Sequence, residues 1–204
     1  MATYSWLGHA TFKLKGAKMV IYIDPYQLKG EPEPADLICV THVHHDHLSL
    51  KDIEKLLKPE TVIVATPDCQ GLTGQVIALK PGESAQVGEV TVEAVPAYNI
   101  GKAFHPQANG WVGYIVTLEG TRYYHAGDTD LIPEMEGYQA DVAFLPVGGK
   151  YTMTATEAAQ AANTIRPKVA IPMHWGAIIG SDNDAATFQA QCQVPVQILK
   201  QEKG

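Results

Sequence analysis

The segment THVHHDH at positions 41–47 places four histidines and one aspartate within seven residues. The residues before it, LICV at 37–40, are apolar and partly β-branched, which predicts a buried strand. Ser49, followed by Asp52 three residues later, is typical of a helix N-terminus. The histidine-rich segment is therefore predicted to be a loop at a strand end, where a rigid scaffold commonly holds functional groups.

The spacing within this segment predicts metal ligands. His42 and His44 are two residues apart, so in extended backbone both side chains project to the same side and can bind one cation as neutral imidazoles. Asp46 and His47 follow on a turn that can direct them at a second cation. A polar loop of hydrogen-bonded histidines is the alternative, and the density of ligands disfavours it. For His45, the variable position of the motif, the pattern favours either a solvent-facing side chain or one that lies behind the ligands without binding metal.

The pattern H-x-H-x-D-H after a buried strand resembles the metallo-β-lactamase superfamily of metal-dependent hydrolases. Further segments fall in the order of that family, namely WLGHAT at 6–11, IDP at 23–25, AGDT at 126–129 and PMHWG at 172–176. The set looks most like the branch of L-ascorbate-6-phosphate lactonases and N-acyl-phosphatidylethanolamine phospholipases D. The resemblance implies a single α/β domain over residues 1–204, folded as an αββα four-layer sandwich with metals at one edge.

Two later residues complete the implied ligand set. In the resembling family Asp128 bridges two metal ions and His174 is the last histidine ligand. Taken alone, Asp128 is equally well explained as a helix N-cap, and a lone histidine is more often structural; the other motifs favour metal binding for both. The implied ligands are Asp46, His47, Asp128 and His174 for one ion, and His42, His44 and Asp128 for the other.

The chain departs from the family pattern in the loop between these motifs. The family has another histidine ligand there, where this sequence has Asn99. An amide oxygen is neutral and binds a zinc-like ion less well than imidazole does. His105 substitutes for that histidine only if the loop folds back, and a plain surface histidine explains it equally well. The sequence therefore predicts two metal sites of unequal affinity.

The chemistry predicted is hydrolysis of an ester, lactone or phosphoester in a small-molecule substrate, at one or two divalent ions. The pKa of water falls to about 7 when it binds a catalytic zinc ion. Asp46 or Asp128 would accept the proton of the attacking water. His9 is a candidate for substrate binding or proton transfer, or for a structural hydrogen bond. Zinc is favoured, and manganese, nickel and iron also fit; the lactone and phosphodiester classes come from the resemblance alone.

Several residues are weaker candidates. Asp24 is a candidate to orient a histidine ligand, as carboxylates beside metal sites do. His125 is a candidate for the same role, and packing within its strand is the alternative. Five side chains are candidates to line the substrate pocket, although core packing or a solvated surface explains each as well: Tyr98, Lys102, Trp111, Lys150 and Trp175.

Composition restricts the class of protein. The chain has 204 residues, 46% of them apolar, which predicts a globular domain with a substantial core. The net charge of −7 argues against nucleic acid as a partner, and no apolar run reaches membrane-spanning length. Three cysteines without metal-type spacing favour a reducing, cytoplasmic setting. A monomer and a homo-oligomer both stay open.

Two other functions compete with hydrolysis. A flavodiiron-like redox protein shares the implied fold. Those proteins resemble an H-x-E-x-D pattern, however, and His44 replaces its glutamate in this sequence. A non-catalytic metal-binding module is supported only by the incomplete ligand set around Asn99.

Periodicity also predicts elements outside the motifs. Each half of the chain has strands followed by a helix. A short helix is predicted over 67–72 and a last strand over 196–199. Thr154 and Glu157 form a capping box that predicts the start of an Ala-rich helix.

Overall fold

Twelve strands and three α-helices make up the part of the chain that the computed structural model describes, residues 2–202. The strands are β1 (Thr3–Gly8), β2 (Thr11–Lys15), β3 (Val20–Ile23), β4 (Leu37–Val40), β5 (Val62–Ala65), β6 (Gln75–Ala78), β7 (Ser84–Val87), β8 (Val90–Pro96), β9 (Val112–Leu118), β10 (Thr121–His125), β11 (Val142–Pro146) and β12 (Val169–Met173). The helices are α1 (Leu50–Leu56), α2 (Ala155–Ile165) and α3 (Asp182–Gln191), with 3-10 turns at Gln107–Asn109 and Pro133–Gly137.

The strands form two six-stranded mixed sheets, one from each half of the chain. The first has the order β1-β2-β3-β4-β5-β6 and the second the order β12-β11-β10-β9-β8-β7. In each, the pairs nearest one edge are antiparallel, and the pairs from β3 to β6 and from β10 to β12 are parallel. The rings of Phe12 and Phe144 stack 3.9 Å apart between the sheets. The predicted αββα sandwich of the metallo-β-lactamase type is confirmed.

Strand β4 shows how the sequence sets the layers. All four of its side chains are buried. Leu37 and Cys39 lie in the core between the sheets, whereas Ile38 and Val40 pack with Ile53 of α1, because successive side chains of a strand alternate between its faces. Burial on both faces explains the uninterrupted apolar run that precedes the histidine motif.

The helices cover the outer faces. The Thr154 and Glu157 capping box opens α2 as predicted, and the buried alanines of α2 allow it to lie close to the second sheet. None of the helices within residues 2–202 is long and apolar enough to cross a membrane.

Two predicted elements are wrong. The segment 67–72 forms a turn and irregular structure instead of a helix, and its Asp68 accepts a hydrogen bond from Trp111 Nε1 at 2.7 Å. The segment 196–199 forms one β-bridge, between Val196 and Ala170, instead of the predicted strand. After this bridge the chain turns away from β12. It continues to β1, where the Glu202 amide donates to the Trp6 carbonyl.

Asp52 connects α1 to the loop before it. Its carboxylate accepts hydrogen bonds from the amides of Gln27 and Leu28, from Ser49 and from Lys55. Burial raises the pKa of Asp52, but the bonds from Lys55, Ser49 and Gln27 outweigh it, so the pKa lies below its usual value. The folded state therefore favours the carboxylate.

Asp52→Asn is expected to lower the free energy of unfolding by about 1–3 kcal/mol at pH 7. The folded pKa lies below the unfolded value of about 3.9, so the stabilisation is present above about pH 4 and is lost as the pH falls through the folded pKa. Urea unfolding of metal-free protein at pH 7 and below pH 4 measures this. The exposed Asp182→Asn is the control, and a pH-independent deficit in Asp52→Asn would contradict the expectation.

Candidate metal centre

The candidate ligands converge at one edge of the sandwich because each follows the carboxyl end of a strand. The loop at 41–49 leaves β4 and carries the histidine motif. The other strand-end residues are His9 after β1, Asp24 after β3, Asp128 after β10 and His174 after β12.

Three of these residues have left-handed backbone conformations. The φ angles are +48° for His9, +48° for Asp24 and +59° for His174. Residues other than glycine rarely adopt positive φ angles, and such backbone strain is concentrated at functional sites. The His174 amide donates to the His9 carbonyl at 2.9 Å, which holds two of the strained turns together.

Asp128 occupies the middle of the cluster. Its Oδ1 lies 3.3 Å from His47 Nε2, and its Oδ2 lies 3.2 Å from His174 Nε2 and 3.3 Å from His105 Nε2. Gly127 permits this approach: its φ is +62°, and a Cβ there would lie 2.7 Å from the Val112 carbonyl oxygen. One carboxylate therefore faces histidines from two sides.

The first group of ligand atoms belongs to His42, His44 and His105. His42 Nε2 lies 3.1 Å from His44 Nδ1, and the rings of both face His105 at centroid distances of 5.2 and 5.0 Å. The loop after β8 thus folds back and brings His105 to the motif. Trp111 packs against His42 and His44 at 4.9 and 4.8 Å, and its bond to Asp68 fixes the indole.

Asn99 contacts His105 and not the centre of the cluster. Its Oδ1 accepts hydrogen bonds from the His105 amide and from His105 Nδ1, both at 3.0 Å. Its Nδ2 donates to Asp130 and to the Tyr151 carbonyl. The amide that stands in the place expected for a histidine therefore orients the histidine six residues later.

The second group comprises Asp46, His47, His174 and His9. His9 Nε2 lies 3.0 Å from Asp46 Oδ2, and the His9 and His174 rings are 3.9 Å apart. Asp46 Oδ2 is 3.8 Å from His47 Nε2 and 4.0 Å from His174 Nε2. The exposed His45 lies outside both groups, with 80% of its side chain accessible.

Comparisons with known proteins agree with this arrangement. A beta-lactamase superfamily domain matches residues 3–174. A UPF0173 metal-dependent hydrolase of Archaeoglobus fulgidus is 34% identical, covering 96% of this chain and 95% of its own length. The chain belongs to the UPF0173 family of metal-dependent hydrolases.

Solved structures of two metal-dependent hydrolases share this fold. The crystal structure of a Parabacteroides distasonis protein superposes with a TM-score of 0.87 at 34% identity, covering 98% of this chain and 94% of its own. Igni18, a metallo hydrolase from Ignicoccus hospitalis, has a TM-score of 0.78 at 25% identity, with 100% and 96% covered. The chain is thus a metal-dependent hydrolase of the metallo-β-lactamase superfamily.

Buried atoms of this UPF0173 chain fit a divalent metal. Within residues 2–202, hydrogen-bond partners are lacking for the Nε2 atoms of His47, His105 and His174 and for Asp128 Oδ1, although all are buried. Buried polar atoms normally have partners, so these need one that the protein does not supply. Two ligands of one tetrahedral zinc ion lie about 3.3 Å apart. The contacts of 3.1–3.3 Å among His42, His44, His105 and Asp128 match that spacing.

The electrostatics of the cluster also favour cations. Burial lowers the pKa of His42 well below its usual value, so the imidazole is neutral, as a ligand must be. Burial also lowers the pKa of His47, but Asp128 and Asp24 outweigh it and raise that pKa well above its usual value. Burial raises the pKa of Asp128, yet His174 and His47 hold it well below the usual range. A metal ion that bound His47 would therefore have to displace a proton.

The hydrogen bonds behind the cluster identify residues that orient the candidate ligands. Asp24 is fully buried and accepts bonds from His47 Nδ1 at 2.7 Å and from the amide and hydroxyl of Thr41 at 2.8 and 2.7 Å. His125 lies apart from the ligands: Nε2 contacts the Ala10 carbonyl, and Nδ1 accepts from the Gly127 amide. His125 thus holds the turn that presents Asp128.

Sequence reasoning missed the walls of the cleft above the ligands. This cleft has a volume of about 230 Å³, and beside the candidate ligands it is lined by Phe104, Tyr151 and Ile178 and by the exposed His45. The five side chains considered from the sequence do not line it; Trp175 lines a neighbouring cleft with Trp6 instead. The walls come from three separate loops, and a hydrophobic residue beside His105 was the only local signal.

Asp24→Asn is expected to weaken metal binding about 10- to 100-fold. Both oxygens of the Asp24 carboxylate accept hydrogen bonds, whereas an amide has only one acceptor oxygen. The NH₂ group of the introduced asparagine would therefore face a hydrogen-bond donor, and His47 would lose its fixed orientation. Competition with a chelating dye measures the affinity. Asp36→Asn, at the other end of β3, is the matched control, and equal affinities in both variants would contradict the prediction.

Proposed function

We propose that this chain hydrolyses an ester, lactone or phosphoester bond of a small molecule with water activated at a centre of two divalent metal ions, zinc being favoured. The observation that supports the proposal is the position of Asp128, whose two oxygens lie within 3.3 Å of three histidines. A carboxylate between two sets of imidazoles can offset the charge of two cations, which supports a binuclear centre. The lactone and phosphoester classes rest on the family resemblance.

The residues would divide between the two ions as follows. His42, His44 and His105 would hold one ion, Asp46, His47 and His174 would hold the other, and Asp128 would contact both. Asn99 would act through His105 instead of binding metal. Because one set has three imidazoles and the other has two imidazoles and a carboxylate, we expect unequal affinities.

Bound ions would lower the pKa of water and polarise the carbonyl or phosphoryl oxygen. The protein residues supply the remaining steps. Asp46 lines the cleft and would accept the proton of the attacking water. Burial raises the pKa of Asp46, but the hydrogen bond from His9 and the neighbouring His47 hold it below the usual range. His9, buried beside Asp46, would fix the orientation of that carboxylate.

Elemental analysis of protein reconstituted separately with zinc, manganese and nickel tests the proposal, together with rates on a panel of esters, lactones and phosphodiesters. Two ions per chain and hydrolysis that disappears with chelator are expected. Metal binding without turnover of any substrate would instead support a non-catalytic metal-binding module. No bound metal under any condition would overturn the assignment of the site.

A further inference from the structure

The cleft above the candidate metal centre has walls of a different character from its floor. The floor carries the charged and imidazole groups, including Asp46, Asp128 and His174. The walls carry Phe104 and Ile178, each 43% exposed. The Phe104 ring packs edge-on against Tyr151 at a centroid distance of 4.7 Å and an interplanar angle of 87°. Apolar side chains thus face solvent on the rim of a polar floor.

The basic side chains that line this cleft in the described residues are all histidines, among them the exposed His45. Within residues 2–202, neither lysine nor arginine lines it. The ammonium of Lys102 contacts Asp130 Oδ1 at 2.6 Å and the Thr152 carbonyl at 2.7 Å. Lys150 lies over the Tyr151 ring at 5.0 Å and is not part of the lining. Phosphate groups are usually recognised by Arg or Lys beyond the metals, so these walls favour an uncharged group.

We propose that the cleft selects an uncharged carboxylic ester or lactone whose apolar chain lies between Phe104 and Ile178. The inference rests on the proposed hydrolysis at the same centre and narrows its substrate class. Ligand sites typically combine an apolar lining with a few polar groups that fix the reacting atom, which is the division seen between these walls and this floor. Burial of the chain would remove both exposed side chains from water.

The reaction on such a substrate balances without a further reagent. The oxygen of water bonds to the carbonyl carbon, and the bond from that carbon to the ester oxygen breaks. One proton of the water passes to Asp46 and then to the leaving alkoxide. The products are a carboxylic acid and an alcohol, joined in one molecule when the substrate is a lactone.

Rates of the metal-loaded enzyme on p-nitrophenyl acetate, butyrate and octanoate, and on bis-p-nitrophenyl phosphate, test the selectivity. We expect kcat/KM to rise about tenfold from acetate to octanoate, and the phosphodiester to be the poorest substrate. In Phe104→Ala and Ile178→Ala the octanoate-to-acetate ratio should fall about tenfold. Ile198→Ala, which removes an exposed isoleucine outside the cleft, should leave the ratio unchanged.

Binding of octanamide and acetamide by calorimetry separates the two proposals, because it does not depend on turnover. Tighter binding of octanamide that is lost in Phe104→Ala, without hydrolysis of any ester, would overturn the proposed function and support the selectivity. Rates on the esters that do not depend on chain length, or a faster rate on the phosphodiester, would overturn the proposed substrate selectivity. Either result would leave the proposed metal-dependent hydrolysis standing. Neither hydrolysis nor chain-dependent binding would overturn both.

Discussion

His105→Ala is expected to reduce the metal content of the reconstituted protein from two ions per chain to one. His105 is buried, its Nε2 lies 3.3 Å from Asp128 Oδ2, and its ring faces His42 and His44. Without it the ion at this site would keep only His42, His44 and the shared Asp128, one ligand fewer than a closed zinc site has, so its affinity should fall. We expect kcat/KM to fall at least about 100-fold, since even outer groups contribute 10- to 100-fold. Elemental analysis and steady-state rates measure the two effects.

The matched control is His45→Ala, which removes an exposed histidine from the same motif and should leave two ions bound. Asn99→Ala keeps the His105 imidazole but removes the acceptor for its Nδ1, so it should weaken binding about 10- to 100-fold without abolishing it. Asn99→His should add no ion. Two ions retained in His105→Ala would contradict the role given to His105. One ion in the unmodified protein that rises to two in Asn99→His would show that position 99 marks the metal position instead.

The fold and most of the candidate ligands could be predicted because their signals are local. His42, His44, Asp46 and His47 lie within six residues, and the apolar run before them identifies a strand buried on both faces. A motif at a strand end fixes both the element and the edge of the sheet on which its side chains lie.

The sequence left His105 open between the cluster and the surface, because its position depends on contacts between distant parts of the chain. Asn99 is held by Asp130, 31 residues away, and by the Tyr151 carbonyl, 52 residues away. Those bonds close the loop and direct His105 at the motif. The apolar walls of the cleft have the same origin, since Phe104, Tyr151 and Ile178 meet only in the folded chain.

Asp128→Asn is expected to have the largest effect of the substitutions considered. Its carboxylate is the only group that contacts histidines of both candidate sites within 3.3 Å in the described residues. An amide of the same shape carries no charge to offset two divalent ions, and its NH₂ group cannot bind a metal. We expect fewer than one ion per chain and a fall in kcat/KM of more than about 100-fold. That loss exceeds the roughly 10- to 100-fold loss that follows removal of a group that only orients a metal ligand.

NMR titration of the metal-free protein distinguishes loss of the metal site from loss of the fold. Asp128 raises the pKa of His47 against the effect of burial, so in Asp128→Asn that imidazole should release its proton at a lower pH, although Asp24 still holds Nδ1. NMR titration of the metal-free variant detects this shift only if the chain is folded. Asp141→Asn, at the opposite end of the parallel strands, removes the same charge and should keep both ions. A folded Asp128→Asn protein that still binds two ions would show that Asp128 is a structural carboxylate, because metal binding would then be independent of its charge.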